Sequence, residues 1–230
     1  MTANPVSVNS NACLISPEIG KSALAKPSKR IAPAHPPLKL GVLASGSGSN
    51  FEVIAQAIQN QQLNAQIPVL IYNNPEAKAA ARAEKYGIPS ILLNHRDCKS
   101  REELDTKIVK TFQEYDVEWV VMAGWMRIVT KVLFDAFPDR VINIHPSLLP
   151  SFPGIRAVEQ ALAAKVKITG CTVHIARLEV DSGPILMQAA VPVLPDDTAE
   201  TLHARIQVQE HKIMLGAIAL IAESNRNYCD

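Results

Sequence analysis

The sequence predicts an α/β fold: a Rossmann-like, mostly parallel sheet extended on one side by an antiparallel strand pair. Three observations lead to it. From Leu38 onward an apolar strand-type segment, a glycine-rich turn and a helix-period segment follow one another, and the rhythm then repeats. Two runs dominated by apolar residues, 119–123 and 141–144, have the character of strands covered on both faces. Two long β-type segments, 171–178 and 185–193, are joined by only six residues, which leaves no room for a crossover helix and makes them antiparallel.

The first unit reads as a strand beginning at Leu38, the turn Ser45-Gly46-Ser47-Gly48-Ser49-Asn50, and a helix marked by Phe51, Ile54, Ala55 and Ile58 at helical spacing. A strand over 67–72, a helix through the alanine-rich 76–86 and a short strand over 89–93 follow. Leu104, Ile108 and Phe112 mark a further amphipathic helix leading into the buried run 119–123. After the antiparallel pair, Asp197 with Glu200 three residues on has the form of a capping box, and Leu202, Ile206, Ile213 and Ala217 define a long closing helix.

Composition bounds the possibilities. The 230 residues are 47% hydrophobic and 20% charged with a net charge of +1, enough apolar material for a core and no general attraction to polyanions, so nucleic acid is not an expected partner. No apolar run approaches the roughly 20 residues that cross a bilayer, so no membrane association is expected. Cys13, Cys98, Cys171 and Cys229 are scattered and form no metal-ligand or disulfide pattern. They fit free thiols in a reducing cytoplasm. The first 37 residues hold six of the 16 prolines and no aromatic residue, and are expected to be a disordered basic tail ahead of a single domain over 38–230. An organelle-targeting role for that tail is the alternative, disfavoured by its scarcity of arginine.

Two segments and one turn residue carry the candidate chemistry. The Gly46–Asn50 turn lies between a strand and a helix, where backbone N–H groups and the positive helix end hold anions. Phe51 occupies the place of a third dinucleotide-fingerprint glycine, and the next strand ends in Asn73-Asn74 without an acidic residue, so a phosphate ester fits better than NAD. A turn that only permits close helix packing is the structural alternative. Asn143 and His145, two apart at the end of a buried strand, point the same way and offer an amide donor and a proton near neutral pH. Asp181, between the late strands, is either a turn former or a partner of His145. A zinc site from His145, His174 and Asp181 is disfavoured, because no short ligand spacing links them, and no metal is expected.

In order along the chain, the Gly-Ser-Gly-Ser-Asn turn, Met126-Arg127-Ile128, the string Asn143-Ile144-His145-Pro146-Ser147-Leu148-Leu149-Pro150 with Phe152-Pro153-Gly154, Gly170-Cys171-Thr172-Val173-His174, and Asp181-Ser182-Gly183-Pro184-Ile185 closely resemble the phosphoribosylglycinamide formyltransferase family. The resemblance runs from about Leu38 to Arg226. It implies the formyltransferase fold and a cytoplasmic enzyme of purine synthesis that moves a formyl group from the co-substrate 10-formyltetrahydrofolate to the amine of glycinamide ribonucleotide, working as a monomer or homodimer. It further implies that Gly48, Ser49 and Asn50 hold the ribose phosphate, that Gln207 and Glu210 contact the ribose and amine, and that Arg101, Met126, Arg127, Ile128 and Val129 line the folate pocket, with Asn143 also at the folate.

Asn143, His145 and Asp181 would be the catalytic trio. Attack of the amine on the formyl carbon makes an oxyanion, for which Asn143 and protonated His145 are the expected donors, a charged Asp181 favouring the imidazolium. Thr172 is expected to order Asp181 or a water. The loop after Gly154, reading Ile155-Arg156-Ala157-Val158-Glu159, departs from relatives that carry histidines there. The alternatives are formyltetrahydrofolate deformylase, methionyl-tRNA formyltransferase and a catalytically silent binding module. The first two normally carry further domains, and a pure binder has no use for a histidine and carboxylate set for proton transfer.

Overall fold

The computed structural model describes residues 15–16 and 36–226. Its framework is one eight-stranded sheet flanked by helices: β1 (Ile15–Ser16), β2 (Leu38–Ala44), α1 (Ser49–Gln59), β3 (Ala65–Tyr72), α2 (Ala79–Lys85), β4 (Ser90–Leu92), α3 (Arg101–Glu114), β5 (Trp119–Met122), α4 (Lys131–Ala136), β6 (Val141–His145), α5 (Ala157–Ala163), β7 (Ile168–Ile175), β8 (Ile185–Pro192) and α6 (Ala199–Arg226). The strands lie in the order β1-β8-β7-β6-β5-β2-β3-β4. Strands β2 to β6 run parallel, and β7 and β8 add the expected antiparallel pair.

Val42, Leu43, Val120 and Val121 are fully buried at the sheet centre, which is why those strands read as unbroken apolar runs. Two cores result. One packs α1 and α6 on the sheet through Phe51, Ile54, Ile206 and Ile213. The other packs α3 and α4 on the opposite face through Leu104, Ile108, Phe112 and Leu133. Gly41 makes the second packing possible, since a methyl group there would lie 2.7 Å from the Phe112 ring.

Several expectations shift. The helix expected from residue 76 starts at Ala79, and the strand expected over 171–178 runs Ile168–Ile175. Helices α4 and α5, each of six or seven residues, went unread because each is too short for a periodic pattern to stand out. The closing helix is capped one residue later than expected: Thr198 Oγ1 accepts the Thr201 N–H at 3.3 Å and Thr201 Oγ1 accepts the Thr198 N–H at 3.0 Å. Asp197 turns instead to Arg205, two turns into α6, and to the Leu194 N–H. Within the expected tail, Ile15 and Ser16 pair antiparallel with Ala189 and Gln188 on β8, so these two residues are ordered; the rest of 1–35 lies outside the described residues. Among the described residues no helix is long and apolar enough to cross a membrane.

Candidate active site

The sheet brings three strand ends to one place. β2 delivers the turn 45–50, β5 the loop 123–129 and β6 the pair Asn143 and His145, all at carboxyl ends of parallel strands, where open α/β sheets bind ligands. A cavity of about 900 Å³ opens there. From the far side α6 adds Gln207 and Glu210, and the turn after β7 adds Asp181.

Register explains the trio's geometry. Asn143 is paired with His174 across the antiparallel β6–β7 ladder, and His145 with Thr172, so all four side chains share one face. Asn143 Nδ2 lies 3.2 Å from His174 Nε2 and 3.5 Å from Asp181 Oδ1. His145 Nδ1 lies 3.3 Å from Asp181 Oδ2, while its Nε2 lies 2.8 Å from the Phe152 carbonyl. Both nitrogens of His145 thus face oxygen acceptors, and a ring with a hydrogen on each satisfies both. His174 Nδ1 faces its neighbour's carbonyl, Ile175 O, at 3.0 Å. In the neutral ring Nε2 therefore accepts from Asn143; a hydrogen on Nε2 would instead face Asp181 Oδ1, 3.7 Å away in the same arrangement.

Asp181 sits in the turn after β7 with a left-handed backbone, φ of 55°, and its carboxyl faces His145, His174 and the Gly154 N–H. Burial pushes that carboxyl up, but the hydrogen bonds from His174 and the Gly154 N–H, the latter at 2.7 Å, and the charges of His145 and His174 outweigh it and hold Asp181 below its ordinary value. Thr172 does not touch Asp181. Its hydroxyl donates to Ser147 O at 2.7 Å and accepts from the Leu149 N–H and Gln188 Nε2, which fixes the loop after β6 instead.

The turn 46–50 meets both of its readings. Gly48 has φ of 70°, and a Cβ there would sit 2.8 Å from Ala79 Cβ, so close packing against α2 does require this glycine. The same turn opens α1 with no side-chain cap, leaving first-turn N–H groups at the cavity wall. Gln207 Nε2 donates to Ser49 Oγ at 3.0 Å, and Asn50 Nδ2 donates to the buried Glu210 at 3.2 Å. Burial raises the Glu210 carboxyl above its ordinary value, against the opposing pull of Asn50 and the charges of His203 and His145.

On the loop after β5, Met126, Arg127, Ile128 and Val129 all line the cavity, with Met126 77% and Ile128 51% exposed into it or its mouth. Ser45 Oγ accepts the Met126 N–H at 2.8 Å and ties this loop to the turn after β2. Arg101 does not join them: it opens α3 as an exposed residue outside the cavity lining. Sequence reasoning missed Ser45, His203 and Glu200 as lining residues, and gave His174 no place beside Asn143. The last was findable, because alternation alone puts 172 and 174 on one face, opposite 143 and 145 once the strands pair. Among the described residues no group of three or more His, Cys, Asp or Glu is arranged to hold a metal ion.

An open α/β sheet with a cavity at its strand ends, lined by a histidine, an amide and a carboxylate in mutual contact, is the setting of a small-molecule enzyme. Residues 38–218 match the family described as formyl transferase, and the chain belongs to that family, among its phosphoribosylglycinamide formyltransferases. The chain is 40% identical over 174 residues to the phosphoribosylglycinamide formyltransferase of Bacillus subtilis, covering 76% of this chain and 89% of that one. It is 41% identical over 184 residues to the human trifunctional purine biosynthetic protein adenosine-3, of whose length it spans only 18%. Among solved structures, glycinamide ribonucleotide transformylase 1 from Symbiobacterium toebii superposes with a TM-score of 0.82 at 40% identity, covering 85% of this chain and 92% of that one.

Proposed function

We propose that the protein transfers the formyl group of 10-formyltetrahydrofolate to the primary amine of glycinamide ribonucleotide, a step of de novo purine synthesis, as a cytoplasmic enzyme. The observation that carries this reading is the contact of Asn143, His145 and Asp181 inside a cavity whose one wall is a helix N-terminus and whose other is an apolar loop. The family and the relatives support it.

In this reading Gly48, Ser49 and Asn50 take the phosphate through first-turn N–H groups, and Gln207 positions the ribose. Glu210, buried and raised, faces the amine. Met126, Arg127, Ile128 and Val129 form the wall for the flat folate ring, an apolar surface open to a planar ligand. The amine lone pair attacks the formyl carbon and the new C–N bond forms. To stabilise the resulting oxyanion, protonated His145 turns its Nε2–H from the Phe152 carbonyl and Asn143 one amide hydrogen from His174, while Asp181 keeps hold of both residues. Collapse breaks the bond to N10; the attacking nitrogen gives up a proton and the leaving nitrogen takes one up, with His145 and Asp181 as the shuttle.

The test is to mix the protein with 10-formyltetrahydrofolate, with and without glycinamide ribonucleotide, and follow tetrahydrofolate release. Release that requires the ribonucleotide supports the transferase. Release without it marks a deformylase, and no release in either arm marks a binder. Sedimentation of the same sample separates monomer from homodimer.

A further inference from the structure

We propose that Asp105, which lies outside the cavity, is a positioning residue for the loop that forms the folate wall. The inference rests on the assignment of residues 126–129 to the folate. Asp105 is on α3, only 1% exposed, and it is the sole carboxylate among the buried residues of that helix, beside Leu104, Ile108 and Phe112. A buried carboxylate is costly unless hydrogen-bonded. This one accepts the Thr130 N–H at 2.5 Å and a further hydrogen bond from the Thr130 side chain. Burial pushes its carboxyl up; the two bonds from Thr130 draw it down, Glu102 pushes it up again and the Arg127 charge opposes that, leaving it raised overall. An apolar residue at 105 would pack without this cost, so the carboxylate's return lies in what it holds.

What it holds is the end of the cavity loop. Thr130 immediately follows Val129, and its own hydroxyl caps α4 by accepting the Val132 N–H at 3.3 Å. At the other end Ser45 Oγ holds the Met126 N–H. The four residues 126–129 are therefore suspended between two side-chain acceptors, Ser45 on the phosphate side and Asp105 on the helix behind. Only the second belongs to an element that lines no part of the cavity. A loop fixed at both ends presents its backbone and its apolar side chains in one arrangement, which a planar ligand needs and a flexible ribose phosphate, bound elsewhere, does not.

The experiment is steady-state kinetics on the full chain for Asp105→Ala and Asp105→Asn, with Arg127→Ala and Ile128→Ala in parallel. Losing one hydrogen bond to a charged acceptor corresponds to roughly a tenfold to hundredfold effect, so Asp105→Ala should raise KM for 10-formyltetrahydrofolate by that factor. KM for glycinamide ribonucleotide should stay within about twofold. Asp105→Asn keeps a neutral acceptor and should fall between the two, with faster amide exchange at Thr130. That graded order is not expected of a merely structural residue. If the alanine variant does not fold, the asparagine variant carries the test, and unchanged Thr130 exchange with an unchanged folate KM overturns the proposal. Equal rises in both KM values also overturn it. If Arg127→Ala and Ile128→Ala raise the folate KM while Asp105→Ala does not, only the positioning role falls; if none of the three does, the loop assignment falls with it.

Discussion

The backbone N–H of Gly154 donates at 2.7 Å to Oδ2 of Asp181, the same oxygen that faces His145 Nδ1 at 3.3 Å. One carboxylate oxygen therefore joins His145 to the loop that follows β6. Replacing Asp181 by asparagine keeps the shape, but a neutral amide cannot match the carboxylate toward both donors. Turnover of Asp181→Asn should fall by about a hundredfold or more, with KM values little changed. In the proposed mechanism His145 and Asp181 act as a unit, so His145→Ala combined with Asp181→Asn should be scarcely slower than the worse single variant. Losses that multiply would mean that the two act independently.

Asn143 presents its Nδ2 to His174 and Asp181, which orient the amide. Asn143→Ala should cost roughly a hundred- to a thousandfold in kcat, the range for removal of one oxyanion donor. His174→Ala keeps that donor and loses only its orientation, so its kcat should fall by less. A His174 variant as slow as the Asn143 variant would give His174 a role of its own in the chemistry.

Gly48 and Gly46 separate packing from ligand approach. A methyl group on Gly48 meets Ala79 at 2.8 Å and must also adopt φ of 70°, whereas one on Gly46 meets nothing within 4 Å. Gly48→Ala should lose about 1 to 2 kcal/mol of stability, read as a fall in Tm, and Gly46→Ala should leave Tm unchanged. A stable Gly48→Ala protein would remove the packing argument for that glycine.

The Asp197–Arg205 pair sets an acid limit. The Arg205 guanidinium, with the Leu194 N–H and the Thr201 hydroxyl, holds the Asp197 carboxyl at about 2 against burial, below the 3.8 of the unfolded chain. The folded value is the lower one, so the stabilisation is present above about pH 4 and is lost as pH falls toward 2. At a partly solvated site this amounts to about 1 kcal/mol. Asp197→Asn should lower Tm at pH 7 and converge with the parent protein near pH 2; a constant difference across that range would refute the coupling.

Much of this arrangement was legible in the sequence, and the failures share physical causes. The parallel strands and α1, α3 and α6 declared themselves through burial on two faces or through a long apolar stripe. Asn143 and His145 stood out because they share a strand face, whereas Asp181 was joined to them only by the family resemblance. Asp105 did not stand out: its spacing of three and seven from Ile108 and Phe112 puts it on their face, but a carboxylate at the edge of an apolar stripe reads as the stripe's polar border. Ile15 and Ser16 did not either, because a two-residue bridge leaves no alternation to detect.

That bridge bears on removal of residues 1–37. Each hydrogen bond it makes to β8 contributes about 1 kcal/mol, equivalent to roughly 2 to 4 °C in a protein of this size. A protein starting at Leu38 should melt only a few degrees lower and turn over at the same rate. A larger fall would show that the leading segment does more than cover the edge of β8.

Ser49 and Asn50 open the first helix of the main fold, yet their partners Gln207 and Glu210 stand 158 and 160 residues further on. During synthesis the amino-terminal half leaves the ribosome first and can begin to pair its strands. Its cavity-facing turn then waits, without those two partners, until α6 has emerged. Folding of this wall is consequently tied to synthesis of α6, so that nascent chains stalled ahead of Gln207 should hold neither contact.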